Sequence, residues 1–121
     1  MEVDIAWHQP EEGWVILNTD GASRRDTSAG CGGLLRNSNG QWIGGFSRHL
    51  GMCSAYLAEL WGVLDGLRLA REREITKLKV QVDSKVVVQT LNSSNIGSTV
   101  ERRLIREIRK LLAMDWEIIV G

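Results

Sequence analysis

Asp20, Glu59 and Asp83 are the residues of this chain whose types and settings could do chemistry. Asp20 follows an apolar run in "ILNTDGAS", and Asp83 ends "KLKVQVD" in the same manner. A carboxylate at the end of a core strand is costly to desolvate, so it needs a partner, a cap to make or a cation to hold. Glu59 lies in "AYLAELWG", off the large apolar stripe of a helical segment and beside its small residues. Three carboxylates offer only oxygen donors, which suits magnesium or manganese and not zinc. Each residue also has a plainer role. An aspartate before glycine forms turns, Asp83 before Ser84 can cap a helix, and a helical glutamate is usually solvated. The elements that carry the three residues decide between these roles.

Residues 1–13, with the only proline at Pro10, read as an exposed lead-in, and one domain over residues 14–121 follows. "WVILNTD" alternates Val15, Leu17 and Thr19 against Ile16, Asn18 and Asp20, a central strand that ends on the aspartate. "GASRRDTSAG" is a polar turn. "CGGLLRNSNGQWIGGFSRHL" then gives two short strands around "NSNG", where Asn-Gly supplies the positive φ angles of a tight hairpin. Ser54 caps a helix that runs to about Arg73, with Leu57, Leu60, Trp61, Leu64 and Leu67 as its apolar stripe. Ala58, Gly62 and Gly66 recur every four residues, which requires something to approach that helix closely. "KLKVQVD" is a fourth strand, and "SKVVVQTLNSSN" is read as a short helix despite its valines. "STVERRLIREIRKLLAM" is a helix with Val100, Leu104, Ile108 and Leu111 on one face, and "WEIIVG" is a last strand.

A strand, a hairpin, a helix and a strand in that order place the fourth strand parallel to the first through a right-handed crossover. With those two strands side by side, roughly 4.8 Å apart, Asp20 and Asp83 share the carboxyl edge where open α/β sheets bind their ligands. Gly62 and Gly66 then bring Glu59 to the same edge.

Composition bounds the partners. With 121 residues, 43% hydrophobic and 25% charged, the chain is long enough for one core without staples. Fifteen basic and fifteen acidic residues cancel, which argues against binding nucleic acid chiefly through a large positive field, so any such contact must be local. No apolar run approaches the roughly 18 residues of a membrane span, and the acidic N-terminus does not read as a secretory signal. The expected setting is intracellular, nucleus or cytoplasm, with no membrane partner. Cys31 and Cys53 read as reduced thiols; His49 and Cys53 form half a zinc pattern with no second half in view.

"NTDGAS", "AGCGGLLRNSNGQWIGGFS", "AELWG" and "VDSK", in this order, resemble the type 1 ribonuclease H domain, in particular the plant form of non-LTR retroelement polymerases and related free-standing reading frames. The resemblance runs from Trp7 to Val120. It implies an α/β fold, a ribonuclease H-like mixed sheet of three antiparallel strands followed by parallel additions, with helices packed on it. It also implies that Asp20, Glu59 and Asp83 coordinate two magnesium ions, with manganese as a substitute, to hydrolyse the RNA strand of an RNA/DNA hybrid. One ion serves the attacking water and the other the departing 3′ oxygen. No small-molecule cofactor is expected. The family's fourth carboxylate and a histidine before it lie on a segment after the last strand, beyond Gly121, so a C-terminal helix is expected to be missing and activity weak. Ser54, Ala55, Tyr56 and Leu57 stand where bacterial members carry hybrid-binding asparagines, and no basic protrusion occurs between Asn92 and Thr99. Arg24, Arg25, Ser54 and Ser84 are the nucleic-acid contact candidates; Arg102, Arg103 and Arg106 read as a solvated helix face.

The competing function is a catalytically idle nucleic-acid-binding or protein-interaction module on the same scaffold. A phosphoacceptor receiver domain is all-parallel, which the early hairpin contradicts. A DEDD-type exonuclease needs D-x-E in its first strand, where Gly21 and Ala22 follow Asp20 here.

Overall fold

A computed structural model describes residues 12–23, 28–93 and 99–121. Its strands are β1 (Val15–Ala22), β2 (Ala29–Arg36), β3 (Trp42–Gly51), β4 (Lys77–Val82) and β5 (Glu117–Val120). The helices are α1 (Ala55–Glu72), α2 (Lys85–Leu91) and α3 (Thr99–Leu112). The strands form one sheet in the order β3-β2-β1-β4-β5. The β1, β2 and β3 strands are antiparallel neighbours, and β4 and β5 add in parallel. This is the mixed sheet expected from the sequence, and its antiparallel half rules out an all-parallel receiver.

Alternation along β1 decides the two faces. Val15, Leu17 and Thr19 are buried, whereas Ile16 and Asn18 are half-buried and Asp20 is exposed. The buried side joins Leu35, Leu78 and Val80 in a core completed by Leu60, Val63, Leu64 and Leu67 of α1, Val87 and Leu91 of α2, and Leu104, Ile105 and Ile108 of α3. The helices therefore cover one face. On the other, Leu34, Trp42 and Ile119 are exposed.

The α1 helix starts where Ser54 Oγ accepts the Leu57 amide at 3.1 Å, as the capping pattern predicts. Its small residues do what their spacing requires. A Cβ on Gly66 would lie 2.6 Å from Leu17 Cδ2, and one on Gly62 would lie 3.3 Å from the Asp20 carbonyl oxygen. The helix thus rests on β1 at a separation that larger side chains would prevent. The valine-rich segment is helical: Ser84 Oγ accepts the Val87 amide at 3.3 Å, and Val87 and Leu91 turn into the core. Arg109 of α3 clamps the far end of α2, donating to the Thr90 carbonyl at 2.9 Å.

Two local readings change. The hairpin is a five-residue loop in which Asn37 Oδ1 accepts the amides of Asn39 and Gln41, both at 2.9 Å. Only Gly40 takes a positive φ there, of 80°, because the asparagine side chain organises the turn that a two-residue loop would leave to Asn-Gly. The first strand does not stop at Asp20: its pairing with β2 continues through Gly21↔Cys31 to Ala22↔Gly30.

Candidate active site at the carboxyl edge of the sheet

The continuation of β1 gives Asp20 its setting. Parallel pairing with β4 ends at Thr19↔Val82, whereas antiparallel pairing with β2 runs two residues beyond Asp20. Asp20 therefore stands where the central strand loses one neighbour and keeps the other. Its side chain is exposed on the face opposite α1. Asp83 is the first residue after β4 and is also exposed. Both aspartates line a cleft of about 380 Å³ together with Asn18, Gly32, Phe46 and Gln81.

Glu59 reaches this edge by a second close approach. A Cβ on Gly21 would lie 2.5 Å from the Ala58 carbonyl carbon and 2.5 Å from the Glu59 amide nitrogen. Gly21 has an ordinary strand φ, so its missing side chain serves the contact and not the backbone conformation. The main chain of Glu59 is thereby seated one residue from Asp20. Its half-buried side chain does not line the cleft of the two aspartates. Among the described residues, no three His, Cys, Asp or Glu side chains are gathered closely enough to form a ready metal centre. The fold brings two carboxylates into one cleft and the third to its flank. As exposed oxygen donors beside a strand edge, Asp20 and Asp83 suit a hard divalent cation.

The remaining predicted contacts divide. Ser54 and Ser84 cap α1 and α2, so their oxygens already accept main-chain amides. Arg24 and Arg25 lie outside the described residues. Arg102, Arg103 and Arg106 are exposed along α3, as a solvated face requires. Beyond Asp20, a second cleft of about 430 Å³ is lined by Gly21, Ser28, Cys31, Ser47 and Arg48. Arg48 is committed there: its Nε donates to Asp65 at 2.5 Å and its guanidinium lies 4.8 Å from the Trp61 ring centre. Burial first, then the carboxylate of Asp65, pushes the Cys31 thiol up to about 11. Cys31 is therefore a structural thiol, packed with its Cβ toward Gly62.

Asn18, Gln81 and Arg36 were not legible as site residues. Asn18 Nδ2 donates to Gln81 Oε1 at 2.9 Å across the β1–β4 pair, and Arg36 Nη2 donates to Asn18 Oδ1 at 2.7 Å. Asn18 and Gln81 each stand two residues before an aspartate, a spacing the sequence displays, but the bond between them exists only once the strands pair.

The family profile described as reverse transcriptase-like matches residues 18–121, which contain all three carboxylates. The chain belongs to the reverse transcriptase-like family. A protein of Arabidopsis thaliana named, provisionally, as a ribonuclease H is 44% identical to this member over 113 residues, 93% of the chain. The chain spans 18% of that relative's length. Ribonuclease H1 of the archaeon Halobacterium salinarum superposes with a TM-score of 0.77 at 25% identity, covering 90% of this chain and 86% of the other. LC11-RNase H1, solved in complex with an RNA/DNA hybrid, superposes with a TM-score of 0.77 at 16% identity, covering 88% and 83%. The architecture is that of a retroelement-type ribonuclease H-like domain.

Proposed function

We propose that this reverse transcriptase-like domain is a divalent-metal-dependent endonuclease that hydrolyses the RNA strand of RNA/DNA hybrids. The observation that carries the reading is the shared cleft of Asp20 and Asp83, with the Glu59 turn seated against Gly21 beside it. In this reading Asp20, Glu59 and Asp83 hold magnesium or manganese at the carboxyl edge of the sheet. When bound, two such cations supply Lewis acidity toward the attacking water and the departing 3′ oxygen. The chain's own part is to fix negative charge at an open, solvent-reached edge, where a backbone phosphate can approach along the uncovered side of the strands. With formal charge of zero, binding rests on local phosphate contacts and weakens steeply with salt. Arg24 and Arg25, four and five residues after Asp20, are proposed phosphate contacts, and the hydroxyl protons of Ser54 and Ser84 remain available for donation. The complex of LC11-RNase H1 with an RNA/DNA hybrid, on the same fold, supports the substrate class.

A second reading, a nucleic-acid-binding module without hydrolysis, is favoured by one observation: among the described residues no three carboxylates are gathered closely enough to hold a metal ion. A fluorescent hybrid-cleavage assay separates the two. The nuclease reading expects RNA-strand cleavage in magnesium or manganese that Asp83→Asn abolishes. Binding of hybrid without cleavage under either cation would support the binding module, and cleavage unchanged in Asp83→Asn would remove Asp83 from the site.

A further inference from the structure

A chain of side-chain hydrogen bonds crosses three strands beneath the two aspartates. Arg36 of β2 donates to Asn18 of β1 at 2.7 Å, and Asn18 donates to Gln81 of β4 at 2.9 Å. Its direction is forced. A guanidinium has donors and no acceptor, so the Asn18 group facing Arg36 must be the carbonyl oxygen. The Asn18 amino group then faces Gln81, whose oxygen must accept it, and the Gln81 amino group is left as the far end of the chain. Gln81 and Asn18 line the same cleft as Asp20 and Asp83. In β1 Asn18 stands two residues before Asp20, hence on the same face, and Gln81 stands two residues before Asp83, the first residue after β4. The cleft thus holds two carboxylates and one amide whose donor end is fixed by an arginine two strands away.

Holding the arginine here carries a cost. Arg36 Nε is buried with no hydrogen-bond partner. In the ladder Arg36 lies opposite Ile16 and Trp42, where an apolar side chain would pack without that penalty. A residue serving packing alone gains nothing from the charge; one that must keep an amide from turning over does.

We infer that Gln81 is a substrate-contacting residue, its side-chain amino group donating to an oxygen of the nucleic-acid strand beside the carboxylates, with Asn18 and Arg36 as positioning residues that hold the amide in the donating sense. The inference rests on the hybrid-nuclease reading for the identity of the ligand. The acceptor is a backbone oxygen of the strand, either a phosphate oxygen or a ribose 2′-hydroxyl. A neutral donor at this place counters the repulsion between phosphate and the two aspartates without adding a charge that would compete for a cation.

Asn18→Asp gives a test that packing cannot imitate. Aspartate still accepts from Arg36, but it has no donor for Gln81, so the Gln81 amide turns over and presents its oxygen to the cleft. Hybrid affinity, measured by fluorescence anisotropy in calcium, should fall about tenfold in Gln81→Met and by at least as much in Asn18→Asp, with melting temperatures held. In the Gln81→Met background, Asn18→Asp should have little further effect; an equal further loss there would mean that its added charge acts directly and would overturn the positioning role. The side-chain ¹⁵NH₂ signal of Gln81 in the wild-type chain should shift on hybrid titration, and an unmoved signal with unchanged affinity in Gln81→Met would overturn the inference while leaving the nuclease reading intact. Absence of any hybrid binding by the wild-type chain would overturn both. A DNA duplex run in parallel identifies the acceptor: loss on both ligands assigns the phosphate, and loss on the hybrid alone assigns the 2′-hydroxyl.

Discussion

Gly21→Ala probes the contact that seats Glu59 beside Asp20. The new Cβ would lie 2.5 Å from the Ala58 carbonyl carbon and the Glu59 amide nitrogen, both main-chain atoms that cannot rotate away. Ordinary carbon contacts are about 3.5–4.0 Å, so strand and helix must separate by about 1 Å. Inserting one methyl group into a packed site costs about 1–3 kcal/mol, and rigid backbone on the far side puts this case at the upper end. The left-handed region is not involved at Gly21, so the loss is steric. Gly40→Ala is the control: it meets open space, and its φ of 80° makes its smaller loss purely conformational. Urea unfolding of both variants measures the effect as a fall in midpoint at constant m-value. Gly21→Ala with the wild-type midpoint would refute the close approach of β1 and α1, and with it the seating of Glu59.

Three further outcomes follow from the same geometry. Asp20→Asn, at an exposed position, should change apo stability little and abolish the rise in melting temperature produced by magnesium or manganese; thermal melts with each cation and with chelator check this. Thr19 is 6% exposed and its Oγ1 has no partner, so Thr19→Val should raise stability by about 1 kcal/mol in urea unfolding, whereas a loss would reveal a hydrogen bond the hydroxyl makes. Cys31 has its thiol raised from 9.0 to about 11, so the unfolded chain ionises first: its contribution is intact below pH 9 and is lost as pH rises toward 11. Cys31→Ala should flatten that part of the stability profile.

Sequence legibility followed the range of the forces involved. The α1 helix could be read to within a residue because Ser54 and the apolar repeat act locally, and Gly62 and Gly66 betrayed the close approach through their cost in a helix. The end of β1 could not. "GAS" has turn chemistry, and only the pairing of Gly21 and Ala22 with Cys31 and Gly30 keeps it extended. The hairpin departs from its local pattern for the opposite reason, since the side chain of Asn37 replaces the backbone geometry that Asn-Gly suggests. For the candidate site, alternation and the crossover rule located Asp20 and Asp83 at one edge. The Arg36, Asn18 and Gln81 chain spans residues 18 and 63 positions apart, and no local pattern encodes it.

The carboxylates are tested most directly by manganese. In a titration followed by ¹⁵N NMR, substoichiometric manganese should broaden the amides around Asp20, Glu59 and Asp83 before any others, and Asp83→Asn should weaken that broadening. Broadening centred on other acidic residues, or spread evenly over all of them, would contradict a metal site at this edge.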